Sequence, residues 1–375
     1  MIYLDYSANT PVDTRVLERF CAVERRCIGN ANSHHQAGSA AKAEIDAATI
    51  KIASLLGVQP AEIIYTSGAS EANNFALKGL ARLSRHAGRH IISTPLEHSS
   101  VSGTLTTLQE QGYEIDLLDV KQDGTVDLEH LKDLLRPDTI CVAITLVDSE
   151  LGVVQPVQEI AAILKAYPHC HLHVDATQAV GKIPVSFEGV DTMSLTAHKF
   201  YGLNGIGLLI KRRNLALEPL IHGGESTTIY RSGTPTVALA SSLACALNLA
   251  VTDLPERVGH VAKLNAELRA ALSTYPLVRI NSPDHAIPHV LNLSVQNVKG
   301  TVFQRELDAK GVCVSVKSAC SSDGLPSRAV FAVSRDRRNA LSSWRISLSH
   351  LTTEDEIKAF VQAFDVCYRE LTAVH

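Results

Sequence analysis

Between Glu62 and Ile210 short apolar runs alternate with helix-length segments, and this alternation constrains the fold more than any other feature of the 375 residues. The runs that read as strands are 63–66, 90–93, 114–118, 140–145, 171–174, 192–196 and 207–210. Helical segments at 69–84, 99–111 and 157–166 lie between them, the last entered at Pro156. Strands that alternate with helices build a mainly parallel sheet covered on both faces. From 236 to 272 the sequence favours helix, interrupted by Pro255. Apolar runs at 290–294 and 345–348, with helices near 302–310 and 354–371, then suit a smaller α+β unit. The expected fold class is therefore α/β, a large domain with a mainly parallel sheet plus a smaller α+β domain.

Composition narrows the function. Thirty-five basic residues face 39 acidic ones, for a net charge of −4, and the longest basic run is Lys211-Arg212-Arg213. Direct nucleic-acid binding is not expected from that pattern. No stretch of about 18 apolar residues occurs, so no membrane span is expected. The opening Met1-Ile2-Tyr3-Leu4-Asp5 carries no basic start and no apolar run, and the expected compartment is cytoplasmic. The eight cysteines are irregularly spaced, without a CxxC pair. Neither a metal site nor a disulfide framework is expected from them.

Four motifs fall where strands give way to helices, the place where open α/β sheets bind ligands. Thr66-Ser67-Gly68-Ala69-Ser70-Glu71 is a small turn opening a helix, with the free amides and dipole that suit a phosphate. His98, in Glu97-His98-Ser99-Ser100, can stack on a planar ligand, move a proton or simply cap a helix. Asp175, in His173-Val174-Asp175-Ala176-Thr177-Gln178, can pair with a cation, bind a metal or cap a helix. Lys199 follows an apolar strand among small, aromatic and hydroxyl residues, where a shielded lysine with a lowered pKa can form a Schiff base. Taken singly each has a plain structural explanation. Together they are the parts of a pyridoxal 5'-phosphate site.

With those motifs in view the chain resembles the NifS/IscS-type cysteine desulfurases, of the class-V aminotransferase-like group with fold type I. The resemblance runs from Tyr3-Leu4-Asp5-Tyr6-Ser7-Ala8-Asn9 through the four motifs and Arg231-Ser232-Gly233-Thr234. It continues through Ser318-Ala319-Cys320-Ser321-Ser322 to Ser343-Trp344-Arg345-Ile346-Ser347-Leu348. It implies that Lys199 carries pyridoxal 5'-phosphate and moves protons, and that His98 stacks on the ring. It implies Asp175 at the ring nitrogen and Gln178 at the phenolic oxygen. Ala69, Ser70, Thr196 and His198 are implied as phosphate ligands, with Thr234 supplied by a neighbouring subunit of a homodimer. Arg345 is implied as the holder of the substrate carboxylate and Cys320 as the nucleophile that becomes a persulfide. The implied division puts residues 15–250 in the large domain, and 1–14 with 251–375 in the small one. The catalytic cysteine loop then spans about 315–330.

The residues around Cys320 agree with that role: it lies in a polar run of small residues, and Lys317 favours thiolate if it comes close. Three positions depart from the resemblance, one of them Ala31, which stands where a proline is usual. Ser149 stands where an asparagine that contacts the cofactor's phenolic oxygen is usual, and Lys317 replaces a glycine. The expected activity is conversion of L-cysteine to L-alanine, with the sulfur passed to an acceptor protein. A pyridoxal phosphate lyase acting on cysteine, cystine or selenocysteine without a protein persulfide is a second reading. A catalytically degenerate partner in a sulfur pathway is a third, opposed by the intact Lys199, Asp175, His98, Arg345 and Cys320.

Overall fold

The computed structural model describes residues 1–224, 226–317 and 325–373. The chain begins with β1 (Ile2–Tyr3), α1 (Thr14–Arg26), α2 (Gln36–Leu56), β2 (Ile63–Thr66), α3 (Ala69–Leu83) and β3 (His90–Ser93). It continues with α4 (Ser99–Glu110), β4 (Glu114–Leu117), α5 (Leu128–Leu134), β5 (Thr139–Thr145) and α6 (Val157–Leu164). Next come β6 (His171–Asp175), β7 (Thr192–Thr196), β8 (Gly207–Lys211), α7 (Val237–Thr252), α8 (Leu254–Leu272) and β9 (Val278–Ile280). The last elements are β10 (Val290–Val295), α9 (Gly300–Ala309), β11 (Val312–Cys313), α10 (Arg328–Ser334), α11 (Arg337–Ser342), β12 (Ser343–Ser347) and α12 (Glu354–Thr372).

Seven strands form one sheet in the order β2-β8-β7-β6-β5-β3-β4, parallel except where β8 runs against both of its neighbours. The exception has a local cause. The link from β7 to β8 is too short for a helical crossover, so the chain turns back on itself. Every residue of β5, β7 and β8 is buried, as strands covered on both faces require. Ala48, Ile52, Leu131, Ile160 and Leu247, from α2, α5, α6 and α7, pack on one face. Phe75, Leu80 and Leu105, from α3 and α4, pack on the other.

Beyond α7 the chain bends by 64° into α8. The break falls at Asp253, and Pro255 sits in the first turn of α8, where its missing N–H is not needed. No single helix among the described residues is long and apolar enough to cross a membrane. A second, antiparallel sheet, β12-β10-β9, is covered by α8, α9 and α12. Its core is built on Phe303 stacked on Trp344 at 5.2 Å, with Phe360 and Phe364 beside them. The N-terminus belongs to this second core: Leu4 packs in it and β1 pairs with β11.

Candidate functional site

Strands β2, β3, β5, β6 and β7 all point the same way, so Thr66, Thr145, Asp175 and Thr196 end at one edge of the sheet. A cavity of about 360 Å³ opens at that edge. Among its lining residues are Ala69, Ser70, His98, Ser149, Asp175, Gln178, Thr196, His198, Lys199 and Arg345. Ten residues singled out in the sequence are thus brought to one place.

At one end of the cavity α3 starts. Gly68 is its N-cap and offers no side chain, so the first-turn amides have no side-chain cap. The approach is close, since a Cβ on Gly207 would lie 2.7 Å from the Gly68 Cα. Glu71 braces the turn by accepting from the Ser67 N–H at 2.7 Å and from Arg231 Nε at 3.0 Å. Burial pushes the Glu71 carboxyl up, but those donors outweigh it and leave it below its usual range. Thr196 Oγ1 and His198 Nδ1 lie 3.1 Å apart at the same end. Burial, with Lys199 and Lys182 adding to it, holds His198 down at about 4, so its ring is neutral.

His98 answers to both readings of it. It caps α4, its Nδ1 accepting from the Ser100 N–H at 3.1 Å, and its ring also lines the cavity. Burial lowers its pKa, and because Nδ1 is an acceptor the neutral ring carries its proton on Nε2. Asp175 likewise has two partners. Its Oδ1 accepts from the Thr177 N–H at 2.9 Å and its Oδ2 from Asn73 Nδ2 at 2.8 Å. Asn73 is fully buried and ties the site together. It also donates to Ser100 Oγ at 2.9 Å and accepts from His173 Nε2 at 3.0 Å and from Ser194 Oγ. One side chain therefore links the carboxylate at the end of β6 to the hydroxyl beside His98.

Lys199 sits in a short turn directly after β7, and its Nζ donates to the carbonyls of Ser7 and Ala8 at 2.8 and 2.5 Å. Gln178 Nε2 donates to the same Ser7 carbonyl at 2.9 Å. Arg345, from β12, donates through Nη1 to the Ser149 carbonyl at 2.8 Å and through Nη2 to Asp5 Oδ1 at 2.9 Å. Among the described residues, its Nε, Ser7 Oγ and Thr177 Oγ1 are buried without a hydrogen-bond partner, and all three residues line the cavity. Buried polar atoms are rarely left so unless a ligand meets them.

This donor set fits pyridoxal 5'-phosphate. The uncapped start of α3 suits the phosphate, the amine of Lys199 suits the aldehyde, and the orphaned donors suit the remaining polar groups. Two expected residues stand apart. Thr234 lines an adjoining cavity with Ser67 and Arg231 rather than this one. Cys320 lies outside the described residues. Ser7, Asn73, Thr177 and Lys182 were not singled out from the sequence. Only Asn73 leaves a trace there, as a polar residue on the apolar face of a helix between Ala72 and Phe75.

Residues 2–360 match the Aminotransferase class-V family. The cysteine desulfurase IscS of Proteus mirabilis is 40% identical over 365 residues, 95% of this chain and 90% of that one. The solved structure of a NifS-like protein superposes with a TM-score of 0.92 at 36% identity, covering 99% of both chains. Another, of SspA in complex with cysteine, has a TM-score of 0.83 at 30% identity, covering 94% of this chain and all of that one. With this sheet, this edge cavity and these matches, the chain belongs to the class-V aminotransferase family. Within it, the full-length likenesses make it a NifS/IscS-type member.

Proposed function

We propose that this protein is an L-cysteine desulfurase. It holds pyridoxal 5'-phosphate on Lys199, converts L-cysteine to L-alanine and leaves the sulfur as a persulfide on Cys320 for an acceptor protein. The observation that carries the reading is the convergence of Lys199, His98, Asp175 and Arg345 on one cavity at the carboxyl edge of the sheet. The activity of the relatives, and the cysteine in complex with the similar SspA, support the choice of substrate.

The chemistry such a cofactor supplies when bound is an electron sink that acidifies the Cα–H of an attached amino acid. The chain's residues do the rest. Ala69, Ser70, Thr196 and His198 hold the phosphate end, helped by the neutral His198 ring, which can donate or accept. His98 covers the ring face and excludes water there. Asp175, oriented by Asn73 and Thr177, would accept from the ring nitrogen and keep it protonated. Gln178 and Ser149, both in the cavity lining, would hold the phenolic oxygen. Arg345 takes the substrate carboxylate, with Asp5 and the Ser149 carbonyl fixing the plane of its guanidinium. Lys199 Nζ takes the Cα proton and returns it. The Cys320 thiolate attacks the substrate sulfur and the carbon–sulfur bond breaks. Protonation of the carbon left behind gives alanine.

The homodimer belongs to this proposal, since Thr234 lines an adjoining cavity rather than its own chain's site and would serve another chain's. So does the division into residues 15–250 and residues 1–14 with 251–375, which the two main apolar cores support, although the first also takes in Ile287 and Val290. The seven described cysteines are all free thiols, in keeping with the proposed cytoplasmic compartment. The test is product analysis. Incubation with L-cysteine should give alanine and a Cys320 persulfide visible by mass spectrometry, and Cys320→Ala should give neither. Pyruvate as the main product overturns the reading in favour of a lyase.

A further inference from the structure

Lys182 stands four residues after Gln178 and is buried under the cavity. Its Nζ donates to Gln178 Oε1 at 2.6 Å, while Gln178 Nε2 donates to the Ser7 carbonyl that also receives Lys199. The charged groups that act on it, Lys199 and Arg345, are both cations, and the nearby His198 and His289 feel its charge in turn. Burial first, then those two cations, pull its pKa down to about 7. An amine is costly to keep there. A methionine would fill similar space without that cost.

What the amine supplies is direction. A glutamine amide has a donor end and an acceptor end of nearly the same shape. The ammonium form of Lys182 offers only N–H donors, so while it is charged the amide turns Oε1 toward Lys182 and its NH2 group the other way. The Ser7 carbonyl can only accept and enforces the same sense. Between them the two partners hold the NH2 group on the Ser7 side of Gln178, and both of those residues line the cavity. A phenolic oxygen carrying negative charge is attracted by that group and repelled by a carbonyl in its place.

We propose that Lys182 is a positioning residue that locks the Gln178 amide with its NH2 end on the Ser7 side, so that the site offers a donor to the cofactor's phenolic oxygen. The proposal rests on the reading of the cavity as a pyridoxal phosphate site. It differs from a packing role in acting through one side chain, and a mutant cycle separates the two.

The cycle comprises the wild type, Lys182→Met, Gln178→Ala and the double variant, each loaded with pyridoxal phosphate. Affinity is read by equilibrium dialysis, and the pH midpoint of the visible absorption of the loaded protein by titration. Lys182→Met should bind the cofactor about 2- to 10-fold more weakly, the size of one neutral hydrogen bond, and its midpoint should move. In the Gln178→Ala background the same substitution should change neither reading. Wild-type affinity and midpoint in Lys182→Met overturn the proposal. So does an equal loss with and without Gln178, which would make Lys182 a charge or a packing group. Should Lys182→Met not fold, Lys182→Gln enters the cycle with the same expectations, because its amide imposes no direction. Failure of the underlying reading looks different: the wild type would then take up no cofactor at all.

Discussion

Arg345 is fully buried, yet its guanidinium is divided among tasks. Two nitrogens are engaged by Asp5 and Ser149, and Nε has no partner among the described residues. Arg345→Lys keeps the charge beside Asp5 but loses the planar fork. The loss of one charge-assisted contact, about 1.5 kcal/mol, should raise KM for L-cysteine about 10-fold, with the cofactor's absorption retained. An unchanged kcat/KM would show that the carboxylate is held elsewhere. Glu97 allows a second prediction at this scale. Burial pushes its carboxyl up to about 8, although Thr94 and the Thr145 N–H pull the other way. The folded protein therefore keeps a proton that the unfolded chain releases above about pH 4. The contribution of Glu97 to stability is full below that pH and is lost as pH rises toward 8. Glu97→Gln cannot ionise, so it should flatten the fall in Tm between pH 5 and 8. A fall of the same depth in the variant would place its cause elsewhere.

Among the elements, the junction of β2, α3 and β8 is the tightest part of the site. A Cβ on Gly207 would meet the Leu195 carbonyl at 2.6 Å and the Gly68 backbone at 2.7 Å, and neither is a flexible side chain. Gly207→Ala should therefore displace the start of α3, lowering both Tm and pyridoxal phosphate uptake. Gly103 is the contrast: it lies inside α4 with open space where a Cβ would go. Gly103→Ala should raise stability by roughly 0.5–1 kcal/mol and leave uptake alone. Calorimetry and dialysis on the two variants check both statements. Elements of this kind were legible in the sequence. Strands 63–66, 90–93 and 192–196 end where the residue pattern puts them, because each is an apolar run closed by small or polar residues. Helices α1 and α2 were not singled out. The first buries little more than Val16 and Val23, and the second is rich in alanine and shows no sharp apolar stripe. The site divides in the same way. Residues at strand ends announce themselves by position. The contact of Asn73 with Asp175 spans 102 residues and that of Gln178 with Ser7 spans 171, and such pairings exist only once the sheet is built.

At the scale of the whole molecule the question is where Thr234 acts. It shares a small cavity with Ser67 and Arg231, beside a larger one of about 900 Å³ lined by residues of α2 and by Ser226, Thr227 and Thr228. Arg231 is anchored to Glu71, so this stretch is tied to the first turn of α3, while Thr234 lines the adjoining cavity and not the site's own. A symmetric dimer that joins these faces would bring each Thr234 to the other chain's cradle, since in a two-fold pair what one chain offers it also receives. Complementation tests this. Lys199→Ala removes the amine from its own site, whereas Thr234→Ala, in a dimer of this kind, harms only the partner's site. Each variant alone should be impaired, the first completely and the second through weaker cofactor binding. When the two are co-expressed, each mixed dimer places an intact Lys199 and an intact Thr234 in the same site and both lesions in the other. Random pairing makes half of the dimers mixed, with one good site of two, so about a quarter of wild-type activity at saturating cofactor should come from fully intact sites. At limiting cofactor, where sites lacking Thr234 contribute least, the mixture should exceed the average of the two parents. A mixture that merely averages its parents would mean that Thr234 serves its own chain, and the dimer would then have to be argued from other residues.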